Sequence, residues 1–263
     1  DGIRIFANSG PTRGHVIIGN YIGLAPSGNA TVNNPNNEPA VSLYEAYDCI
    51  IGGAAPGRGN YITGYQQGIR LSGNAAGNTV VGNVIGLHAD LSPSSHPPAT
   101  GIEVYAPDNT MGVRNSGQGN LIAHGDYGIA VQGSSAVRNG LFGNTICAFA
   151  TSGIQLAFGG NNDKAAPAVT SANTGEVRGT SGAGDTIEIF RAEPVPSGSG
   201  GSLTYLGSAT ADGSGAWTLV SPSVAVGEYV CATATDGDNN TSPFSQNAVV
   251  QPPPSSTPTP TLT

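Results

Sequence analysis

Two short sequence words alternate along the chain between residues 2 and 156. The first, Gly-Asn-x-Ile, begins at residues 19, 59, 82, 119 and 143. The second, Gly-Ile-x-(Ile, Leu or Val), begins at residues 2, 68, 101, 128 and 153, and Ala40-Val41-Ser42-Leu43 fills the missing place in this series. Because each pair of words marks one structural unit, this regularity predicts six similar units stacked along one axis.

Each word has the pattern of a very short β-strand. Two apolar residues lie two positions apart, so both point to one face while the residue between them points to the other. Strands of three or four residues cannot bury that face alone, whereas coils stacked about 4.8 Å apart pair their backbones and enclose an apolar column. We therefore expect residues 1–161 to form a right-handed parallel β-helix of about six coils. Long and short coils should alternate, because successive Gly-Asn-x-Ile words are 40, 23, 37 and 24 residues apart.

The asparagine of the first word has a predicted structural role. Asparagines at the same position of successive coils lie one above the other, so their side-chain amides can hydrogen-bond as a ladder. The predicted ladder consists of Asn20, Asn60, Asn83, Asn120 and Asn144.

Three stretches carry a resemblance to a known family. They are Gly-Asn-x-Ile-x-Gly at residues 59–64, Ile-Gly-Gly-Ala-Ala-Pro-Gly-x-Gly-Asn at residues 51–60, and Asn-Thr-Val-Val-Gly-Asn at residues 78–83. Over about 160 residues they resemble the parallel β-helix repeats of large secreted bacterial surface proteins. The resemblance implies the fold and an extracellular or cell-surface location. It leaves function open, because the same repeat underlies polysaccharide lyases, hydrolases and phage tailspikes.

The repeat words stop after Gly160, and residues 162–249 have a different texture. Short alternating apolar segments, separated by turn clusters, predict about seven strands and an immunoglobulin-like β-sandwich with Trp217 in its core. Residues 230–236 with 240–242 resemble the last hairpin of bacterial Ig-like surface modules. Residues 250–263 are rich in Pro and Thr, a composition typical of linkers or stalks that are often O-glycosylated in secreted proteins, and we expect a linker or assembly tail.

Composition excludes several classes of function. The chain has 17 Asp and Glu against 9 Lys and Arg, so no basic patch is available to hold nucleic acid. Its apolar runs are far shorter than the ~20 residues that cross a bilayer, which predicts no membrane span. The three cysteines, Cys49, Cys147 and Cys231, form neither a disulfide framework nor a zinc pattern, and they leave the redox compartment open.

The sequence offers few of the carboxylates and histidines that a catalytic site would need. The outward positions of the second word are Arg4, Ser42, Arg70, Glu103, Ala130 and Gln155. A glycoside hydrolase needs two carboxylates on one face, and only Glu103 lies there. The four histidines are isolated, and we predict no catalytic residue and no cofactor. A polysaccharide lyase or hydrolase remains the alternative.

A glycan-binding face is a second reading of the same sheet. It combines charged and aromatic outward positions, namely Arg4, Tyr44, Arg70, Glu103 and Tyr105. The competing interpretation is that these large side chains cover the sheet or pack under the insertions at residues 25–39 and 88–99.

Two further features of the sequence invite a site. Asp236, Asp238 and Asn240 alternate as in a calcium loop, but they lack the distal Glu of an EF-hand, and the competing interpretation is a hairpin turn. Lys164, the single lysine, at the start of the predicted sandwich invites an isopeptide crosslink with a late-strand asparagine, for which the sequence identifies no partner.

The first strand word begins at Gly2 with no capping segment before it. An open strand edge is a template for further pairing, which suggests self-association or neighbouring repeats of a longer chain. The first functional hypothesis is therefore a non-catalytic extracellular structural protein: a surface stalk, an adhesin or a subunit of a self-assembling filament. The alternative is a carbohydrate-binding or polysaccharide-degrading module, with surface glycans as its partner.

Overall fold

The computed structural model describes residues 2–7, 10–194 and 201–254, and within these residues the regular structure is almost entirely β. The first eighteen strands are β1 (Ile3–Phe6), β2 (Thr12–Arg13), β3 (Val16–Ile17), β4 (Tyr21–Ile22), β5 (Pro39–Tyr44), β6 (Ala46–Tyr47), β7 (Ile50–Gly52), β8 (Tyr61–Ile62), β9 (Gln67–Ser72), β10 (Thr79–Val81), β11 (Val84–Ile85), β12 (Thr100–Val104), β13 (Thr110–Gly112), β14 (Leu121–Ala123), β15 (Tyr127–Gln132), β16 (Gly140–Phe142), β17 (Thr145–Cys147) and β18 (Ser152–Ala157). A 3₁₀ turn at Gly160–Asp163 precedes the last seven described strands, β19 (Ala168–Ala172), β20 (Glu176–Thr180), β21 (Thr186–Ala192), β22 (Ser202–Thr210), β23 (Ala216–Val220), β24 (Tyr229–Thr235) and β25 (Ala248–Val249).

The first eighteen strands form three parallel sheets and one short parallel pair. The six-stranded sheet has the order β1-β5-β9-β12-β15-β18, and the second sheet has the order β3-β7-β10-β13-β16. The strands β4-β8-β11-β14-β17 follow one another in the third sheet, and β2 pairs with β6. The chain passes through the three large sheets in a constant order, so each circuit adds one strand to each of these sheets. We call these turns coils and the whole of residues 2–157 the coil stack.

The register of the six-stranded sheet follows from the apolar residues of the second word. Ile3 pairs with Val41, Val41 with Ile69, Ile69 with Ile102, and onward to Ile154. Inside the stack these side chains are fully buried, and because side chains alternate along a strand, the residue after each of them points to the opposite face of the sheet. The apolar column therefore forms because equivalent residues meet at the same level of every coil.

Glycine in the first word is explained by the close approach of neighbouring coils. Gly143 has a φ of 57°, and a Cβ atom built on it would lie 1.7 Å from the carbonyl oxygen of Ser116. At Gly82, with a φ of 68°, the corresponding distance to the carbonyl oxygen of Gly53 is 2.2 Å. Any larger residue at these corners would force the coils apart.

The chain after residue 164 forms two antiparallel sheets with a common core, and we call residues 164–254 the second unit. One sheet is β19-β20-β23, and the other contains β22, β21, β24 and β25. Trp217 is 3% exposed and lies in the core with Val177, Ile187 and Val230. The Pro/Thr-rich tail is described only as far as residue 254, and residues 255–263 lie outside the described residues.

The two regions share one sheet and one apolar cluster. Strand β22 pairs antiparallel with β17 at Ser202 and Ile146, so the third sheet of the coil stack continues into the second unit as a nine-stranded sheet. Phe190 and Phe244 of the second unit belong to the same buried cluster as the isoleucines of the stack. Among the described residues, no helix is long and apolar enough to span a membrane.

Candidate functional site

The asparagines of the first word form a chain of side-chain hydrogen bonds through the coil stack. The Nδ2 atom of each donates to the Oδ1 atom of the next at 2.9 Å, from Asn20 through to Asn144. The backbone N–H of each donates to the same oxygen at 2.9–3.1 Å. The second amide hydrogen of Asn83 reaches the carbonyl oxygen of Ile51, also at 2.9 Å. These buried amides are therefore satisfied by neighbours and by backbone, as burial requires.

A second row of asparagines, which sequence reasoning missed, lies beside the second sheet. The row consists of Asn78, Asn109, Asn139 and Asn161, each accepting a backbone N–H at Oδ1 over 2.9–3.1 Å. The row begins at the backbone N–H of Cys49, which occupies the asparagine position of an earlier coil. Its sequence signal is an asparagine directly before β10, β13 and β16. That signal is less regular than Gly-Asn-x-Ile because the residues around the asparagine differ in each coil.

The last coil is bonded to the second unit by side chains instead of another coil. The Glu188 carboxylate accepts the backbone N–H of Asn115 at 2.9 Å and that of Gly143 at 2.8 Å. Ser202 accepts the N–H of Ile146 at 3.0 Å and donates to the carbonyl oxygen of Asn144 at 2.7 Å. Glu188 is 1% exposed, and this burial raises the pKa of its carboxyl above the ordinary value.

Three further side chains of the second unit accept hydrogen bonds from backbone N–H groups of the coil stack. Thr241 Oγ1 accepts the N–H of Leu141 at 3.0 Å, and Asn240 Oδ1 accepts the N–H of Arg138 at 2.7 Å. Glu193 accepts the N–H of Ala148 at 2.9 Å. Backbone donors at the open edge of the stack are thus paired with hydroxyl, amide and carboxylate oxygens. We call this set of contacts the junction.

The charged residues of the predicted glycan-binding face come together on the outer surface of the six-stranded sheet. Arg4, Ser42, Arg70 and Glu103 occupy one row across β1, β5, β9 and β12. Arg70 Nε and Nη2 each lie 2.9 Å from Glu103 Oε2, and Glu103 is 7% exposed. The guanidinium of Arg4 lies 5.1 Å from the centre of the Phe6 ring.

The aromatic residues of this face form the adjacent row. Phe6 pairs with Tyr44, and Tyr44 pairs with Ser72 on the next strand. Tyr105 follows β12, and its backbone N–H donates to the carbonyl oxygen of Leu71. The exposed fractions of Phe6, Tyr44 and Tyr105 are 50%, 41% and 36%. Partial burial, and then the Glu103 carboxylate, raise the pKa of the Tyr105 hydroxyl.

A groove runs between these two rows and the insertion that precedes β5. It is lined by Arg4, Asn37, Glu38, Pro39, Ser42, Tyr44, Arg70 and Ser72. Asn37 and Glu38 come from the insertion and were not among the residues predicted for this face. Nothing in the strand periodicity identifies them, because they precede the strand and reach the groove through the path of the loop. Glu103 lies beside the groove through its ion pair with Arg70.

The predicted calcium residues mainly make turn and junction contacts. Asp236 Oδ1 accepts the backbone N–H groups of Asp238 and Asn240 at 3.1 and 2.9 Å, and its Oδ2 lies 3.1 Å from Asn240 Nδ2. Asn240 turns its own oxygen to the coil stack. Across the described residues, no group of three or more His, Cys, Asp or Glu side chains could hold a metal ion.

The cysteines and the single lysine lie apart from the groove. All three cysteines are free, and burial raises the pKa of the half-buried Cys147 thiol to about 11. Lys164 Nζ lies 2.8 Å from both carboxylate oxygens of Asp185, which is 3% exposed. The lysine thus contacts an aspartate before β21, whereas the sequence suggested a late-strand asparagine as its partner. This ion pair holds the start of the second unit against the turn that precedes β21.

Most of these polar side chains bond to backbone groups of neighbouring coils or of the junction. The groove and the aromatic row beside it present exposed side chains, among them Arg4, Tyr44 and Phe6. A scan against protein-family models matches none of them, and a search of curated proteins finds no match.

Proposed function

We propose that this chain is a non-catalytic structural protein of the extracellular or cell-surface space, a stalk or adhesin segment. In it, a right-handed parallel β-helix is closed at one end by an immunoglobulin-like sandwich. Right-handed crossovers are nearly universal between parallel strands of one sheet, which supports the handedness. The two antiparallel sheets around Trp217 support the sandwich.

The main support for this proposal is that the buried polar side chains hydrogen-bond to one another and to the backbone. Two rows of asparagines run through the stack, and their amides bond to neighbouring asparagines and to backbone carbonyls. Glu188, the most deeply buried carboxylate described at the junction, bonds two backbone N–H groups. Side chains committed to such contacts hold coils in register and are poorly placed to perform chemistry on a substrate.

The junction also bears on which structural role is favoured. A filament built by stacking copies end to end needs an open strand edge at both ends of each subunit. Here β22 and the side chains of the second unit occupy the edge of the last coil. A stalk or adhesin segment fits this arrangement better than a head-to-tail filament. The extracellular location rests on the resemblance of the repeat words and on the Pro/Thr-rich residues 250–263.

Two measurements test the proposal. Sedimentation velocity over a wide concentration range should give one elongated monomer, and concentration-dependent polymers would favour the filament reading. Incubation with neutral and acidic polysaccharides should release neither reducing ends nor unsaturated uronate products. Product formation that Glu103→Gln abolishes would overturn the non-catalytic assignment in favour of a lyase or hydrolase.

A further inference from the structure

We propose that the groove over β1, β5 and β9, together with the neighbouring Tyr105 after β12, binds a neutral polysaccharide that lies across the coils. This goes beyond the structural role, because it gives the stalk a ligand. Tyr44 is the central stacking platform, Arg4, Arg70 and Glu38 hydrogen-bond the sugar hydroxyls, and the buried Glu103 holds Arg70 in place. The coil stack supplies a rigid support for both rows.

The spacing of the aromatic rings suits an extended chain of sugars. Phe6 and Tyr44 are on neighbouring strands, about 4.8 Å apart, and Tyr105 is two strands beyond Tyr44, about 10 Å away. Ser72 occupies the position between the two tyrosines, and its small side chain leaves a recess there. Aromatic rings that keep an open face offer apolar area at little cost in side-chain entropy. A glycan laid across the coils therefore meets the Phe6 and Tyr44 rings, then the recess at Ser72, and then the Tyr105 ring.

The charges of the groove favour a neutral ligand over an acidic one. Arg4 and Arg70 are matched by Glu38, which lines the groove, and by Glu103, which contacts Arg70. Guanidinium groups present donors and carboxylates present acceptors, which together suit pairs of sugar hydroxyls. The whole chain carries a formal charge of −8, which repels an acidic polysaccharide at long range.

The polar side chains are held in place before any ligand arrives. Arg70 makes two contacts with one oxygen of Glu103, and Glu103 is almost fully buried. Arg4 lies against the Phe6 ring. Groups that are fixed in advance lose less conformational entropy on binding. The insertion contributes Asn37 and Glu38 as one wall, so the face is a groove with a side and not a flat sheet.

The test is affinity electrophoresis of the purified chain in gels that contain galactomannan, xyloglucan, mixed-linkage β-glucan or polygalacturonate. The first three polymers are neutral and the fourth is acidic. Tyr44→Ala removes the central ring, and Phe158→Ala is the matched control because Phe158 is an 84% exposed aromatic residue outside the groove. Thermal unfolding of each variant reports whether the fold is retained.

We expect at least one neutral polymer to retard the wild-type chain and Phe158→Ala equally. Tyr44→Ala should weaken that interaction about tenfold, the size expected for one aromatic contact, and Tyr44→Trp should restore it. The proposal is overturned if no neutral polymer retards the wild-type chain, or if only polygalacturonate does. It is also overturned if a folded Tyr44→Ala variant is retarded as strongly as Phe158→Ala.

Discussion

The coil stack and the second unit differ in how they pair their strands and bond their buried polar groups. In the stack, parallel strands pair with the equivalent strands of the next coil, and asparagines bond to asparagines at the same level. In the second unit, antiparallel strands surround a separate core, with no such row among its described hydrogen bonds. A repeating arrangement pairs each inner coil with a neighbour on both sides, whereas the last coil has no coil after it.

The junction shows how that exception is resolved. Residues such as Glu188, Ser202 and Thr241 come from different strands and loops of the second unit, yet each supplies an oxygen to a backbone N–H of the stack. They replace the contacts that another coil would make. A repeat can thus be ended by a non-repeating unit if that unit places acceptors at the right positions, and the two regions should then unfold together.

The largest expected effect comes from truncating a buried side chain in each core separately, which tests whether the two regions unfold together. Ile102→Ala in the stack and Ile187→Ala in the second unit each remove a fully buried side chain and should cost about 4 kcal/mol. Because Phe190 and Phe244 join the two regions in one cluster, both variants should lower a single unfolding transition followed by chemical denaturation. Two separate transitions would show that the regions are independent. Val220→Ala, at a 69% exposed site, is the control and should change little.

A somewhat smaller effect is expected from the asparagine row. Asn83→Ala deprives Asn60 of an acceptor and Asn120 of a donor, all of them buried, and should cost about 3 kcal/mol. Asn33→Ala, at an exposed position, should leave the free energy of unfolding within about 0.5 kcal/mol of wild type. Equal losses in the two variants would mean that the row contributes nothing beyond local backbone preference.

The sequence words account for much of the coil stack. Two apolar residues separated by one outward residue predict strands, and the recurrence of the words predicts stacking, so the all-β class with parallel sheets is confirmed. The second asparagine row was not predicted because its members have different neighbours in the sequence, for example Gly77-Asn78-Thr79 and Arg138-Asn139-Gly140. A search for asparagine directly before each strand, instead of for a fixed word, would have found it.

The junction and the groove wall were beyond sequence reasoning for a physical reason. Glu188 meets Gly143 across 45 residues, and that contact depends on how β22 docks on β17. No periodicity records which side chain will meet an open edge. Glu38 likewise reaches the groove through an insertion whose path is set by tertiary contacts, such as the bond from the Asn34 N–H to the carbonyl oxygen of Gly64.

The junction itself can be probed at its buried carboxylate. Glu188→Ala leaves the N–H groups of Asn115 and Gly143 without acceptors and should lower the free energy of unfolding by about 2 kcal/mol. Glu193→Ala is the matched control, because it removes an exposed contact to Ala148 at the same edge and should cost less than about 1 kcal/mol. If Glu193→Ala proved the more damaging of the two, the buried contact could not be what joins the regions.

The smallest predicted effect is the dependence of this junction on pH. Burial raises the pKa of Glu188, so the folded chain binds a proton more readily than the unfolded chain. Its contribution to stability is therefore greatest at acidic pH and decreases as pH rises from the ordinary carboxyl pKa through the raised folded value. Asp108 has the opposite sign, because the hydrogen bond from Arg138 lowers its pKa, and its contribution is lost as pH falls. Glu188→Gln should remove the first trend and Asp108→Asn the second in unfolding measured from pH 3 to 8. A Glu188→Gln variant that kept the wild-type slope above pH 5 would contradict the role of that carboxyl.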